Sequence, residues 1–341
     1  MPKDGQQHSG DGRVAVVVPS YNHAKFVAAA LRSILAQTHA PARLLVIDDG
    51  SDDGSPRIIE DVLKDCPFPC ELIARDNRGL CATLNEGLAR TEGDYFAYLG
   101  SDDLWLPDFL AARVATLRER PRAVLAYGHS YIINERGTVG DSTLNWAQYA
   151  DGDARAMLLE QIFAPMSPTV VYRRPSLERH GWNESARLED YELYLKLSAD
   201  GDFAFDPRVL SAWRSHGHNT SRDYIWMIEA RLEAQDNASA HLGLSPAQLE
   251  RYQRALNFAS AEDLLRLGNK RGALKYLRRG LSASSSPAAL GRFALRLVTP
   301  FYLVRLRNTF RRSRNARRHG SLSDEGKEIQ LGGQAEQDKV I

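Results

Sequence analysis

Residues 13–19 form a short aliphatic run that is closed by a proline: Arg13-Val14-Ala15-Val16-Val17-Val18-Pro19. Five consecutive apolar residues without alternation indicate a strand that is buried on both faces, as in the centre of a parallel sheet. The next apolar residues recur at helical spacing between Phe26 and Gln37. A buried strand followed by an amphipathic helix predicts the first βα unit of an α/β domain.

Strands and helices alternate in the same way as far as residue 120. Further strands are predicted at 44–47, 71–74 and 95–99, helices at 58–64 and 80–90, and one more helix after Pro107. We therefore predict a Rossmann-like α/β fold with a mostly parallel sheet flanked by helices. Right-handed crossovers bring the carboxyl ends of such strands to one edge of the sheet, where ligands bind.

The rest of the chain divides by pattern and composition. Between residues 123 and 214 the pattern loosens into further strands and helices, and after residue 221 it is helical throughout. The predicted organisation is a flexible leader at 1–12, an α/β domain at 13–221, an all-helical extension at 222–283, a basic amphipathic helical segment at 284–318 and a disordered tail at 319–341.

Composition excludes several classes of protein. Hydrophobic residues make up 43% of the chain and charged residues 26%, as in ordinary globular proteins. The three cysteines are too few for a disulfide framework or a Cys-only zinc site, so we expect reduced thiols. No apolar run approaches the roughly 20 residues that span a bilayer, and the polar N-terminus has no apolar signal region. We therefore expect a cytoplasmic protein.

Positive charge is concentrated near the C-terminus. The net charge is only +1, yet residues 264–323 contain 15 lysines and arginines and no acidic residue, which indicates an anionic partner. Apolar residues at helical spacing lie beside the arginines, and this pattern favours an anionic membrane surface as the partner of residues 290–318. The alternative is a helix packed on the domain with a solvated basic face. Nucleic acid is the least favoured partner, because no nucleic-acid module accompanies the basic stretch.

Two acidic pairs follow predicted strands and should therefore lie at the same edge of the sheet. Asp102 and Asp103 follow the strand at 95–99, where adjacent carboxylates are costly unless a cation such as Mg²⁺ or Mn²⁺ neutralises them. The alternative is that Asp102 caps a turn and Asp103 is solvated. Asp48 and Asp49 follow the second strand. A carboxylate there can accept a hydrogen bond from the imide N–H of uracil or from the hydroxyls of a ribose. The alternative is that it only stabilises a turn.

Seven spaced motifs, taken together, resemble the family 2 glycosyltransferases over residues 13 to 221. In chain order they are VVVPSYN (16–22), SILAQT (33–38), VIDDGS (46–51), NRG (77–79), NEG (85–87), GDY (93–95) and LGSDD (99–103). The resemblance implies the GT-A fold, which has the α/β architecture predicted above. It also implies a nucleotide-sugar donor and a divalent cation, Mg²⁺ or Mn²⁺, as the cofactor.

The resemblance further implies that Pro19, Tyr21 and Asp49 surround the nucleotide base. Tyr21 can stack on the base, although an aromatic side chain packed on the edge of the sheet would explain the same residue. Arg78, in the NRG motif, can approach a donor phosphate. Pro19, Tyr21 and Asp49 are thus predicted to contact the base of the donor, and Arg78 is predicted to contact a phosphate.

The same resemblance puts the metal at the LGSDD motif. Asp102 would contact the ribose or the metal, and Asp103 would hold a divalent cation that bridges the donor diphosphate. Many relatives carry an aspartate where this chain has Gly100, so Asp103 carries most of the predicted metal binding. His216 lies in a later family-like segment and would bind the diphosphate or the metal, with a structural role as the alternative.

A further acidic segment, at residues 187–193, resembles the acceptor side of the family. In the family, an aspartate at the start of a helix is the general base that takes the proton from the acceptor hydroxyl. This role falls on Asp190, with Glu189 as the second candidate. The alternative is that both acids only complement the dipole of the helix.

The sequence thus predicts an inverting glycosyltransferase that moves a sugar from a UDP-sugar to a hydroxyl of a glycan or lipid-linked acceptor. The expected setting is surface-polysaccharide assembly on the inner face of the plasma membrane. One alternative is a non-catalytic relative that binds a sugar nucleotide or glycan, which Gly100 favours and Asp190 opposes. A nucleotidyltransferase is the other, but no Gly-rich phosphate loop with a nearby lysine follows the first strand.

Overall fold

The computed structural model describes residues 12–161, 163–217, 219, 223–281, 287–300, 309 and 314–322. Residues 1–11 of the predicted leader, much of the predicted basic segment (284–286, 301–308 and 310–313) and most of the predicted tail lie outside these ranges. Within the described residues nine strands form one mixed sheet: β1 (Val14–Ser20), β2 (Arg43–Asp48), β3 (Cys70–Ala74), β4 (Tyr95–Tyr98), β5 (Leu104–Trp105), β6 (Ala123–Asn134), β7 (Val139–Ser142), β8 (Val171–Arg173) and β9 (Asp202–Ser215).

Helices flank this sheet and extend beyond it. In the described part of the chain they are α1 (Val27–Leu35), α2 (Ser55–Leu63), α3 (Leu80–Arg90), α4 (Phe109–Glu119), α5 (Arg155–Leu159), α6 (Arg174–Glu178), α7 (Glu189–Asp200), α8 (Tyr224–Ser239), α9 (Pro246–Arg266), α10 (Lys270–Gly280) and α11 (Pro287–Val298).

The first four strands form the parallel half of the sheet, in the order β3-β2-β1-β4. β1 lies in the centre, where Val16 pairs with Leu44 of β2 on one side and with Ala97 of β4 on the other. Helices α1, α2 and α4 cover one face of the whole sheet, and α3, α5 and α7 cover the opposite face. The aliphatic run of β1 is therefore buried on both sides, as the sequence predicted.

The second half of the sheet is mixed in direction. β8 runs antiparallel to both β4 and β6, β6 runs parallel to β9, and β7 pairs antiparallel with β6. The short strand β5, which directly follows the acidic segment 101–103, pairs antiparallel with β9. This pairing brings the end of β9 beside the acidic segment.

The C-terminal extension is helical, as predicted. Helix α8 packs on α7 of the α/β domain, and α9 packs on α8 and α10. Ser245 and Gln248 form a reciprocal capping box that fixes the start of α9. None of the helices in the described ranges is long and apolar enough to cross a membrane.

Residues 314–322 return to the α/β domain. Ser321 forms a β-bridge with Thr138, and the backbone N–H of Leu322 donates to the carbonyl oxygen of Gly137 (3.0 Å). The side chain of Leu322 is buried in the same hydrophobic cluster as Val139. The predicted boundary of a disordered tail at residue 319 is therefore corrected, because residues 319–322 are held by the sheet.

Candidate active site

Three loops meet at the carboxyl edge of the parallel strands: those after β1, β2 and β4. The backbone N–H of Asn22 donates to Oγ of Ser51 (2.9 Å), and that of Ala24 donates to Oδ2 of Asp53 (2.8 Å). Asn22 has a φ of 54°, a left-handed conformation that asparagine tolerates better than most residues. These bonds tie the first loop to the second and fix His23 between them.

Two imidazoles and a carboxylate converge after the end of β4. Nε2 of His216 lies 2.8 Å from Oδ2 of Asp102, and Nδ1 of His23 lies 3.9 Å from Oδ1 of the same carboxylate. Nδ1 of His23 is also 2.8 Å from Oγ of Ser101. One ligand atom from each of His23, Asp102 and His216 lies within 4.8 Å of the other two. This group, which we call the edge cluster, has the donors and the spacing that a divalent cation needs.

Arg214 and Phe26 hold the edge cluster from behind. The backbone N–H of Arg214 donates to Oδ1 of Asp103 (2.8 Å), and its Nε donates to the carbonyl oxygen of Asp102 (2.8 Å). The guanidinium lies over the ring of Phe26, 4.9 Å from the ring centre, and the same ring stacks on His216 at 5.2 Å. The acidic segment is therefore fixed by β9 and by the loop after β1.

Asp103 is buried beside Asp102 but is not a member of the edge cluster as the described residues define it. Burial raises the pKa of Asp103 well above its ordinary value, and the charge of Asp102 adds to this, against the N–H of Arg214. A Cβ at Gly100 would lie 2.9 Å from Oδ1 of Asp102 and 3.4 Å from Oδ2 of Asp103. Both carboxylates thus fold over the glycine, in the space that a larger residue would need.

Asp49 is buried and holds the loop between β3 and α3. Its carboxylate accepts from the backbone N–H groups of Arg78 (2.9 Å) and Gly79 (2.8 Å), and it forms an ion pair with Arg75. Arg75 also donates to Glu86 of α3 (3.0 Å). The contact of Asp49 with a base stays a prediction, while its observed bonds position the loop that presents the exposed side chain of Arg78.

Pro19 and Tyr21 lie at the end of β1. Pro19 pairs with Ile47 of β2, and the side chain of Tyr21 is 50% exposed. This exposure disfavours the alternative in which the ring packs on the edge of the sheet. A half-exposed ring at the carboxyl edge is available for stacking on a planar ligand.

Glu189 and Asp190 begin α7, and their charges act on the buried phenol of Tyr98, the last residue of β4. Burial raises the pKa of Glu189 to about 8, and the charge of Asp190 adds to this. Burial raises the pKa of Asp190 to about 6, against the backbone N–H of Tyr191 and the charge of Arg231. The pair therefore lies near the strand end that leads into Asp102, and burial favours the protonated form of both carboxyl groups.

Some functional candidates were predicted from the sequence and others were not. Asp102 and His216, which lie 114 positions apart, were predicted and are in contact. His23 and Arg214 were not predicted, although His23 directly follows the first motif and Arg214 precedes His216 by two positions. Arg231 carried no sequence signal, because it lies on α8 and reaches the acidic pair only through packing of α8 on α7.

Comparison with known proteins relates the α/β domain to an established family. Residues 15–181 match the model of the family described as glycosyl transferase family 2. These residues form a family 2 glycosyltransferase domain. The matched segment runs from β1 to just beyond α6 and includes Pro19, Tyr21, Asp49 and Asp102. The acidic pair on α7 and His216 lie beyond its end.

Two curated relatives are similar in sequence to part of this chain. An uncharacterized glycosyltransferase of Nostoc sp. is 28% identical over 170 residues, which cover 49% of this chain and 52% of that protein. Chondroitin synthase of Escherichia coli is 28% identical over 209 residues, which cover 61% of this chain and 30% of that protein. The chain therefore spans about half the length of the first relative and less than a third of the second.

Two solved structures share the fold over most of their length. A mannosyltransferase from Pyrobaculum calidifontis, solved with GDP-Man and Mn²⁺, has a TM-score of 0.60 at 22% identity, covering 92% of this chain and 90% of that one. Residues 1–349 of TarS from S. aureus, solved with UDP-GlcNAc, give 0.56 at 17% identity, covering 89% and 90%. The predicted GT-A fold with a helical C-terminal extension is confirmed.

Proposed function

We propose that this protein is an inverting glycosyltransferase that moves a sugar from a nucleotide-sugar donor to a hydroxyl of a glycan or lipid-linked acceptor. The observation that carries the proposal is the convergence of Asp102, His216 and His23 at the carboxyl edge, with the raised-pKa pair Glu189 and Asp190 near the same strand end. Nucleotide ligands of open α/β sheets bind at this edge. A base with a pKa near neutral is what acceptor activation requires.

The donor would lie across the loops after β1, β3 and β4. Tyr21 would stack on the base beside Pro19, and Asp49 would act mainly by holding the loop that carries Arg78. Arg78 would then reach a donor phosphate as a mobile surface charge. UDP is the proposed nucleotide, and the neighbours solved with UDP-GlcNAc and GDP-Man make both nucleotides worth testing.

The residues at the edge cluster fit a divalent cation. One carboxylate and two imidazoles converge there, and the carboxylate of Asp103 lies directly behind them. We propose that Asp102 and His216 hold Mg²⁺ or Mn²⁺, with His23 and Asp103 completing the site. When bound, the cation would offset the charge that develops on the leaving diphosphate.

Asp190 is the proposed general base. Its carboxylate takes the proton of the acceptor hydroxyl while that oxygen forms a bond to the anomeric carbon. The bond from the anomeric carbon to the diphosphate oxygen breaks in the same step, and the nucleoside diphosphate leaves with the electron pair. A single displacement of this kind inverts the anomeric configuration.

Burial raises the pKa of both Asp190 and Glu189, and the positive charge of Arg231 favours the ionised form of Asp190. Only an ionised carboxylate can accept a proton, so we propose Asp190 as the base and Glu189 as its neighbour.

The test is release of nucleoside diphosphate from UDP-, dTDP- and GDP-sugars in the presence of Mn²⁺. We expect Asp190→Asn to lower the rate by about 10²-fold or more while donor binding is kept, and Glu189→Gln to retain most of the activity. Asp103→Ala should abolish the Mn²⁺-dependent rate. Wild-type protein that binds a donor but never releases the diphosphate would support the non-catalytic alternative, and full activity of Asp190→Asn would refute the assigned base.

We also propose that α11 and the basic residues after it bind an anionic membrane surface. The support is the side-chain distribution of α11, in which Phe293 is buried against the extension while Leu295 and Val298 are 67% and 72% exposed. Exposed apolar side chains beside arginines such as Arg292 suit the interface of an anionic bilayer. A lipid-linked acceptor would be presented at such a surface.

A further inference from the structure

A second group of side chains that can ligate a metal shares no residue with the edge cluster and lies where the helical extension meets the α/β domain. His180 follows α6, Asp200 is the last residue of α7, and His241 follows α8. One ligand atom from each of the three lies within 4.8 Å of the other two. The first two residues belong to the α/β domain and the third to the extension.

The distances within this group approach those of a bound metal site. Nε2 of His180 lies 2.7 Å from Oδ2 of Asp200, and Nε2 of His241 lies 3.6 Å from Oδ1. The two imidazole rings are 4.7 Å apart and perpendicular, at 89°. Ligand atoms about 2.0–2.1 Å from a tetrahedral zinc ion are about 3.3–3.4 Å from each other. Shifts of less than about an ångström would therefore bring three donors to zinc distance.

The backbone around the group is fixed, so little ordering is needed on binding. The N–H of His180 donates to the carbonyl oxygen of Leu177 (3.1 Å), and the N–H of Leu242 donates to that of Ala238 (3.0 Å). Ala238 is fully buried, and Leu242 packs on the core of the α/β domain. His241 is held between these two residues while its side chain remains 36% exposed.

Asp200 provides the carboxylate of the group, and in the metal-free chain His180 and Arg179 both contact it. Arg179 lies 3.2 Å from the same carboxylate, but its side chain is exposed and can move to solvent when a metal ion takes its place.

We propose that His180, Asp200 and His241 form a Zn²⁺ site that fastens the helical extension to the α/β domain. The edge cluster has the same three donor types, but its proposed ion also takes oxygens from the donor diphosphate, as Mg²⁺ and Mn²⁺ prefer. The group at His180, Asp200 and His241 would bind its ion without a substrate phosphate, and two imidazoles with one carboxylate then suit tetrahedral Zn²⁺ better than Mg²⁺. Water would complete the tetrahedral shell on the exposed side. The bound ion would join two ligands of the α/β domain, His180 and Asp200, to His241 of the extension.

The experiment is Zn²⁺ titration by calorimetry on untagged full-length protein that carries His216→Ala, so that the edge cluster does not contribute. We expect one Zn²⁺ per chain at this site and a higher midpoint of thermal unfolding with Zn²⁺ but not with Mg²⁺. Addition of His241→Ala should weaken Zn²⁺ binding by about 100-fold or more and remove the thermal shift. His39→Ala removes an imidazole outside the group, one whose Nε2 lies 3.0 Å from the carbonyl oxygen of Gly12, and should change neither.

A second measurement keeps the test independent of the His216 variant. Co²⁺ added to the wild-type chain should give the visible absorption of tetrahedral cobalt, and His241→Ala should remove that component. His241 is exposed, so the folded state should survive its removal. Absence of Zn²⁺ binding, or Zn²⁺ binding that His241→Ala leaves unchanged, would overturn the proposal.

Discussion

Arg231 and Asp190 belong to different parts of the chain, yet the charge of one acts on the other. Arg231 lies on α8 of the helical extension, where its guanidinium stacks on the ring of Tyr191 at 5.9 Å. Its positive charge favours the ionised form of Asp190 and so lowers the pKa of that carboxyl group, against the larger effect of burial. The extension therefore tunes the proposed base.

We predict that Arg231→Gln moves the acid limb of the pH–rate profile to higher pH. Asp190 works in its ionised form, so in the wild type the rate falls as the pH drops through about 6. Loss of the positive charge raises the pKa, and the limb should shift upward by about 0.5–1 unit. The measurement is kcat/KM for donor hydrolysis between pH 5 and 8.

Arg254→Gln is the matched control for this prediction. Arg254 lies on α9, also in the extension, and its partner is Glu250 on the same helix. Its removal should leave the profile in place. An identical acid limb in the Arg231→Gln and wild-type proteins would mean that Asp190 is not the titrating base or that Arg231 does not act on it.

Single residues were predictable from the sequence where they sit in a motif. Asp102 and His216 were found because each follows a recognisable segment, and their contact follows from pairing of β5 with β9. The hydrogen bonds that Asp49 accepts from the backbone N–H groups of Arg78 and Gly79 could not be predicted, because they depend on how closely the loop after β3 approaches β2. Arg231 depends likewise on tertiary packing.

The loop between β3 and α3 owes its position to one carboxylate. Asp49 joins this loop to the end of β2 through two backbone N–H groups and the ion pair with Arg75. We predict that Asp49→Asn lowers the free energy of unfolding by about 1–3 kcal/mol, since a buried charged acceptor is replaced by a weaker neutral one. Hydrogen exchange at Arg78 and Gly79 should become faster.

The exposed Asp52, in the loop after β2, provides the control. Asp52→Asn removes the same charge from the same edge but none of the bonds to the β3–α3 loop. It should leave both the unfolding midpoint and the exchange of that loop unchanged. Equal protection of Arg78 and Gly79 in wild type and Asp49→Asn would show that the loop is held by other contacts.

Secondary-structure elements were predictable where one period dominated the sequence. Helix α3 has the bounds that the apolar spacing predicted, and β1 and β2 each lie within about two residues of their predicted limits. The long strands β6 and β9 were not assigned, because β9 interrupts its alternation with Pro207 and both strands carry register shifts. Irregular pairing of this kind leaves no clear period.

The distribution of charge and apolar surface over the whole chain bears on where the protein works. We predict that deletion of residues 290–318 moves the protein from the membrane fraction to the supernatant. The deletion also removes Asn315, which donates to the carbonyl oxygen of Gly140. The substitution pair Leu295→Ser and Val298→Ser is therefore the cleaner variant, because both side chains are exposed.

Membrane binding is measured by flotation of the protein with vesicles that contain anionic lipid. Both variants should bind more weakly than wild type, and binding of the wild type should fall as salt is raised, since charge attraction is screened. Wild-type protein that fails to float with anionic vesicles at low salt would refute it. Residues 319–322, which composition assigns to a tail, pack on the sheet, and composition alone does not reveal such packing.

The most direct measurement is binding of a sugar nucleotide to the carboxyl edge. Thermal unfolding should be followed with UDP-, dTDP- and GDP-sugars, each with and without Mn²⁺. We expect at least one donor to raise the midpoint by about 5 °C in the presence of Mn²⁺, and the shift to disappear in Asp102→Asn and in His216→Ala. A folded wild-type protein that none of these donors stabilises, or a shift that both variants retain, would contradict a donor site at this edge.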